Sequence, residues 1–346
     1  MLNLRSQLRL LSEKITGKER IVIGIHGLNN KPPRELLHLW WKQAIQEGLA
    51  RIGHHEELFT LEIAYWANLL HPEPLNPNIK DAKNLLYIEA PYVRGNPDSV
   101  KVKPNLKKKR MLDKIERRLD EMFFDEDSFL NYDFISDLII RNMFKDLDIY
   151  YNRDCPVKTN FGLCAREAIR IELADLLIRH RNKKILLIAH SMGSIIAYDV
   201  LTQVVPDIQI DTMITIGSPL GLPSIQKKIF EEQGKEYRVE KQVSTPENIQ
   251  KNWYNFSDLD DKVAINYNLA DDFKKNSRDV GPQDFIVVND YIYNDEKNNH
   301  KSYGYLRTPE VANEIYRFLR PEKTTFAETV RTNFKEILKT FSETKK

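Results

Sequence analysis

The chain runs to 346 residues, and its 41% hydrophobic content with 15 Phe, 15 Tyr and 4 Trp excludes a disordered polymer and leaves room for a sizeable core. Lys plus Arg at 52 against Asp plus Glu at 50 leaves a net charge of +2, so no whole-chain field draws the protein to nucleic acid, and no nucleic-acid partner is expected. The longest apolar runs, such as Ile185 to Ala189, fall far short of the ~20 residues a bilayer span needs.

Residues 1–19 mix apolar and basic side chains (Leu4, Arg5, Leu8, Arg9, Leu11, Lys14, Ile15), which predicts an amphipathic helix and lacks the continuous apolar stretch of a secretory leader. Ile21 to Ile25 is the first strand candidate, followed by helical spacing at Leu36, Trp40 and Ala44 with Leu37 and Trp41, then by a second strand at Leu61 to Trp66. Residues 68–158 form an interval of about ninety residues, far more than one crossover helix uses. It opens on Pro72, Pro74 and Pro77, which forbid a long regular element. Two helical patterns follow, Leu112, Ile115, Leu119, Met122 and Phe129, Tyr132, Ile135, Leu138, Ile139, Met143, so the interval is expected to be a helical cap or lid. Its basic run, Lys101, Lys103, Lys107, Lys108, Lys109 and Arg110, reads as a solvated helix start, with peripheral contact to an anionic membrane as the alternative.

Beyond the interval, Ile171, Ala174 and Ile178 have helical spacing, and strands are expected at Ile185 to Ala189, Met213 to Ile216, Trp253 to Phe256 and Phe285 to Val288. A helix over Ile195 to Val205 and another through Val311, Ile315, Phe318 and Leu319 complete the series. The six apolar runs are short, rich in β-branched residues and mostly without polar alternation, as strands buried on both faces of a parallel sheet are. The expected architecture is α/β, with a core of residues 20–67 and 159–320, helices on both faces, and a final amphipathic seam over residues 321–346 (Phe326, Val330, Phe334, Ile337, Phe341). Cys155 and Cys164 could close at most one disulfide; with so large a core they read as ordinary thiols, the second buried on a helix, in a reducing, cytoplasmic setting.

The chemistry concentrates at Ala189-His190-Ser191-Met192-Gly193, which closes the third apolar run and directly precedes a helix. A serine on such a bend has its hydroxyl exposed, and small residues two before and two after it let the helix cross close to the strand. The segment resembles the nucleophile elbow, Gly-x-Ser-x-Gly, of the α/β-hydrolase superfamily and its lipase and esterase members, with Ala189 in place of the first glycine. A second likeness is His26-Gly27 after the first strand. In the enzymes it resembles, that pair shapes the oxyanion hole, which implies backbone N–H donors from Leu28 and Met192.

The resemblance further implies the chain order nucleophile, acid, base. Of the 8 histidines only His300 follows Ser191, so it takes the place of the base. The acid should follow the penultimate strand, where Asp258, Asp260 and Asp261 compete; Asp261 before Lys262-Val263 fits related lipases and esterases, Asp258 is the main rival, and Asp260 stands beside both. His26 reads as a structural hydrogen-bonder, and His54-His55 as a loop without the partners of a metal site. No metal or cofactor is expected, and Gly24 to Gly27 lacks the spacing of a dinucleotide loop. The expected activity is hydrolysis of carboxylic esters, small-molecule or lipid, through a Ser-His-Asp triad and an acyl-enzyme. Phe123, Phe124, Phe129, Phe134, Met143 and Phe144 of the insertion could line an acyl pocket. An acyltransferase with the same residues, or a non-catalytic interaction or regulatory protein on this fold, is the alternative.

Overall fold

The computed structural model describes residues 19–96, 104, 147, 149–152, 155, 162–235, 242–264 and 267–320. All six apolar runs become strands of one sheet: β1 (Arg20–Ile25), β2 (Leu61–Ala64), β3 (Lys184–His190), β4 (Ile210–Ile216), β5 (Ile249–Asp258) and β6 (Pro282–Val287), in the order β2-β1-β3-β4-β5-β6. Every neighbouring pair is parallel.

Parallel strands need covering on both sides, and β3 shows how the sequence provides for this. Its Ile185, Leu187 and Ala189 join one apolar cluster with Ile169, Leu173 and Leu177, while Leu186 and Ile188 join a second with Leu37, Trp41 and Ile45. The first cluster belongs to α2 (Ala165–Arg179), α3 (Met192–Asp199) and α4 (Pro223–Glu232); the second belongs to α1 (Arg34–Arg51), α5 (Ser302–Leu306) and α6 (Pro309–Leu319). α6 starts where the chain requires it to: Pro309 needs no N–H partner at the first turn, and the Thr308 hydroxyl accepts from the Val311 N–H.

Two readings of the sequence need correction. Of the expected stripe of α2, Ala174 is buried, but Ile171 and Ile178 are 41% and 40% exposed, and the helix instead buries Ile169, Leu173 and Leu177. Both stripes obey helical spacing, and the choice between them is made by the sheet, against which only one can lie. Cys155 and Cys164 are bonded to each other with Cα atoms 5.4 Å apart, and Cys164 stands half-buried just before α2 rather than within it. With the thiols goes the cysteine argument for a reducing compartment.

Within the 68–158 interval, Ala90, Tyr92 and Val93 pack on the second cluster, whereas Leu147 and Tyr150 belong to the first. The segment around residue 93 is pinned by a buried ion network: Arg307 donates to Val93 O at 2.5 Å and Asp290 Oδ1 at 2.5 Å, and Arg51 bridges Glu47 and Asp290 at 2.8 Å each. The two helical patterns, the basic run, the phenylalanines of the expected acyl pocket and the seams over 1–18 and 321–346 lie outside the described residues. Among the described residues no helix is long and apolar enough to cross a membrane.

Candidate active site

The topology chooses the place. From β1 the chain moves outward to β2, and then returns to the other side of β1 as β3. In a parallel sheet wound in both directions, a crevice opens at the carboxyl ends where the direction switches, here between β1 and β3. The register pairs Ile25 with Ala189, so the loops beginning at His26 and His190 leave the sheet side by side.

Ser191 sits at φ 54° and ψ −131°, a conformation that costs a non-glycine residue about 1–3 kcal/mol and persists only where its surroundings enforce it. The enforcement is visible. Ser191 N–H donates to Ile216 O at 3.1 Å, and its carbonyl accepts from the Ser194 hydroxyl at 2.6 Å, which is itself bonded to the Ser218 hydroxyl at 2.7 Å. A Cβ on Gly193 would stand 2.8 Å from the carbonyl oxygens of both Ile25 and His26, so α3 can cross the strand this closely only with glycine there. Ala189 is fully buried within β3. Gly27 is needed for the same reason as Gly193: a Cβ would fall 2.6 Å from Ser191 Cβ.

The structure brings Ser191, His300 and Asp261 together. His300 Nε2 lies 2.9 Å from Ser191 Oγ, and Nδ1 lies 2.9 and 3.0 Å from the two oxygens of Asp261. The fully buried carboxylate also accepts from Val263 N–H at 2.9 Å, from Ala264 N–H at 3.4 Å and from the Tyr305 hydroxyl at 2.7 Å. The oxygens of this carboxylate thus find protein donors in place of solvent. The proton on His300 therefore resides on Nδ1, leaving the Nε2 lone pair toward the serine hydroxyl.

The competing aspartates are engaged elsewhere. Asp258 accepts from the Asp260 N–H at 2.7 Å and from the Asn289 N–H at 2.6 Å, and burial raises its carboxyl above the ordinary range. Asp260 is half exposed, 3.6 Å from Lys297. Asn289, which the sequence reading missed, donates to the carbonyls of Asn299 and Lys301 at 2.8 and 2.9 Å and so fixes the chain on both sides of His300. Tyr305 and Gly217 were missed as well. A Cβ on Gly217, whose φ is 54°, would stand 2.8 Å from Asp261 Oδ2 and 3.2 Å from His300 Nδ1. The only signal for either lay in position: Tyr305 lies on α5, just after His300, and Gly217 directly follows β4.

Around the first loop, the His26 ring is stacked on Trp66, donates from Nδ1 to Gly27 O at 2.8 Å and accepts the Trp66 N–H on Nε2 at 3.1 Å. Because a peptide is planar and trans, the Leu28 N–H at the far side of the Gly27 carbonyl points away from that ring. His190 donates from Nε2 to His300 O at 2.8 Å. Leu28 and Met192 are buried, and His54 stacks on Tyr316 at 3.5 Å.

Burial, aided by nearby cations, pushes both His26 and His190 well below the usual imidazole value of 6.5. Each stays neutral when folded but takes up a proton when unfolded, so its contribution to stability is complete above about pH 6.5 and is lost as the pH falls below it. Urea midpoints are expected to decline from pH 7.5 to 5; a midpoint constant over that range would contradict this.

A six-stranded parallel sheet covered on both faces, with a strained serine at the strand-to-helix turn beside its switch point, is the architecture of an α/β-hydrolase fold. Within it, residues 166–304 match the model of the PGAP1-like alpha/beta domain family, a span that runs from α2 to α5 and includes Ser191, Asp261 and His300. A comparison with curated proteins gave no match. The chain thus carries a hydrolase-like domain.

Proposed function

We propose that the protein is a serine hydrolase of carboxylic esters. The observation that carries this is the relay itself, Asp261 to His300 Nδ1 at 2.9 Å and His300 Nε2 to Ser191 Oγ at 2.9 Å, on a strained backbone at the strand-to-helix turn, with the serine itself buried beneath its neighbours. In the first step Ser191 Oγ attacks the acyl carbonyl, His300 Nε2 takes its proton, and the N–H groups of Leu28 and Met192 receive the developing negative charge. His300 then protonates the leaving alcohol. Water, deprotonated by the same nitrogen, releases the acid and frees the serine.

Lipid-like acyl groups are favoured by an apolar surround at the carboxyl edge. Leu28 after β1, Leu69 and Leu70 after β2, and Leu220 and Leu222 after β4 all pack in or against the cluster that contains Met192. The test is labelling with a fluorophosphonate, combined with a chain-length series of p-nitrophenyl esters. Wild type is expected to be labelled and Ser191→Ala spared, with turnover rising with acyl length. Labelling that survives the substitution means another nucleophile, and neither labelling nor turnover in wild type favours a non-catalytic protein.

A further inference from the structure

The loop that would form the oxyanion hole, residues 26–31, has nearly all its carbonyl oxygens occupied by donors. Trp66 Nε1 takes His26 O at 3.0 Å, the His26 ring takes Gly27 O at 2.8 Å, and the Leu75 N–H takes Lys31 O at 2.9 Å. The two in the middle, Leu28 O and Asn29 O, are both held by one group, the Lys31 ammonium, which folds back to contact the first and lies 2.9 Å from the second. This stretch has no backbone ladder of its own. Asn29 is left-handed at φ 68°, a conformation asparagine tolerates but does not enforce, and it lies outside any strand or helix.

Lys31 is itself anchored. Its N–H donates to Asn30 Oδ1 at 2.8 Å, the Asn30 amide donates to Glu73 O at 2.8 Å, and the following Pro32 carbonyl accepts from the Tyr65 hydroxyl at 3.0 Å. The side chain thus reaches back from a fixed base. Its charge is felt on both loops flanking Ser191, since it depresses the basicity of His26 and of His190 alike.

We propose that Lys31 is a positioning residue of the oxyanion loop: by gripping the carbonyls of Leu28 and Asn29, its ammonium fixes the two peptide planes that follow the Leu28 N–H, whose own peptide is held by the His26 ring, and adds a positive charge to the loop that meets the developing oxyanion. This rests on the ester-hydrolase reading of the site. The ammonium transfers no proton. It matters most when the carbonyl oxygen carries charge, so it favours the transition state over the bound ester.

The experiment compares Lys31→Met, Lys31→Gln and Lys31→Arg with wild type, reading kcat and KM on a p-nitrophenyl ester and Ki for a trifluoromethyl ketone that forms an oxyanion on the serine. Lys31→Met is expected to lose about tenfold to hundredfold in kcat, with KM held within about twofold and Ki weakened by the same factor as kcat. Lys31→Gln, which can still donate to a carbonyl but lacks charge, should fall between Lys31→Met and wild type, and Lys31→Arg should recover most of the rate. Should Lys31→Met fail to fold, the Lys31→Gln and Lys31→Arg pair carries the same comparison. Wild-type kcat and Ki in the neutral variants, or a loss confined to KM, overturns the proposal while leaving the hydrolase reading intact. Absence of Ser191-dependent hydrolysis in wild type overturns both.

Discussion

Asp261→Asn is expected to lower kcat for ester hydrolysis by about ten thousandfold, whereas Asp258→Asn leaves it within about threefold. The two carboxylates are three residues apart and both buried, yet their partners differ in kind. Asp261 receives the Nδ1 proton of His300 at 2.9 Å, so an amide there would present N–H hydrogens or a weaker acceptor and allow the ring to carry its proton on Nε2, facing Ser191. That tautomer cannot take the serine proton. Asp258 receives no imidazole; its donors are the backbone N–H groups of Asp260 and Asn289, with the Asn299 side chain beside them. Its replacement would set an amide N–H against one of them and cost about 1–3 kcal/mol of stability. Steady-state rates and urea unfolding on both variants check this pair of outcomes. A rate loss of similar size at both positions, or a larger one at Asp258, would remove Asp261 from the relay.

The reason three adjacent candidates could not be separated in the sequence lies in the turn that joins them. Asp261 N–H closes back on Asp258 O at 3.0 Å while the Asp258 side chain caps the Asp260 N–H, and this curl is what turns the third carboxylate toward the imidazole. Hydrophobic patterning is blind to such a curl. The strands were legible because a strand buried on both faces must be apolar at every position, as β3 is from Ile185 to Ala189. The α2 stripe was not, since Ile171 and Ile178 satisfy the helical period as well as Leu173 and Leu177 do. Residues that act through contacts far apart in the chain, such as Asn289 on the His300 loop, leave no local mark. Nor does a cysteine reveal its partner: Cys155 and Cys164 are bonded, yet nothing in the patterning around either says so.

The second large effect is on stability and concerns a charge the chemistry does not use. Asp199, on the helix that begins at the nucleophile, has a fully buried side chain, and its Oδ2 accepts from Arg170 at 2.6 Å, Arg166 at 3.1 Å and the Tyr150 hydroxyl at 2.8 Å. Arg170 Nε donates in turn to the Tyr150 oxygen at 3.0 Å, and Arg166 pairs with Glu232 at 2.5 Å. Burial and the Asp199 charge push the Tyr150 phenol well above its ordinary range, so it stays a neutral donor. Asp199→Ala would leave two mostly buried guanidiniums sharing Glu232, which is 3.8 Å from Arg170, and would deprive the phenol O–H of its acceptor. Breaking a buried pair from one side costs about 3–5 kcal/mol, because the charge left behind has lost its partner but not its desolvation. The expected result is an unfolding free energy lowered by that amount, read as a lower urea midpoint at unchanged slope, while the folded variant keeps its reactivity toward a fluorophosphonate. Arg170→Met in the Asp199→Ala background should then restore part of the loss, since it removes one of the stranded charges. If Asp199→Ala unfolds at the wild-type midpoint, the network fixes the position of Tyr150 against α2 and α3 without contributing net stability.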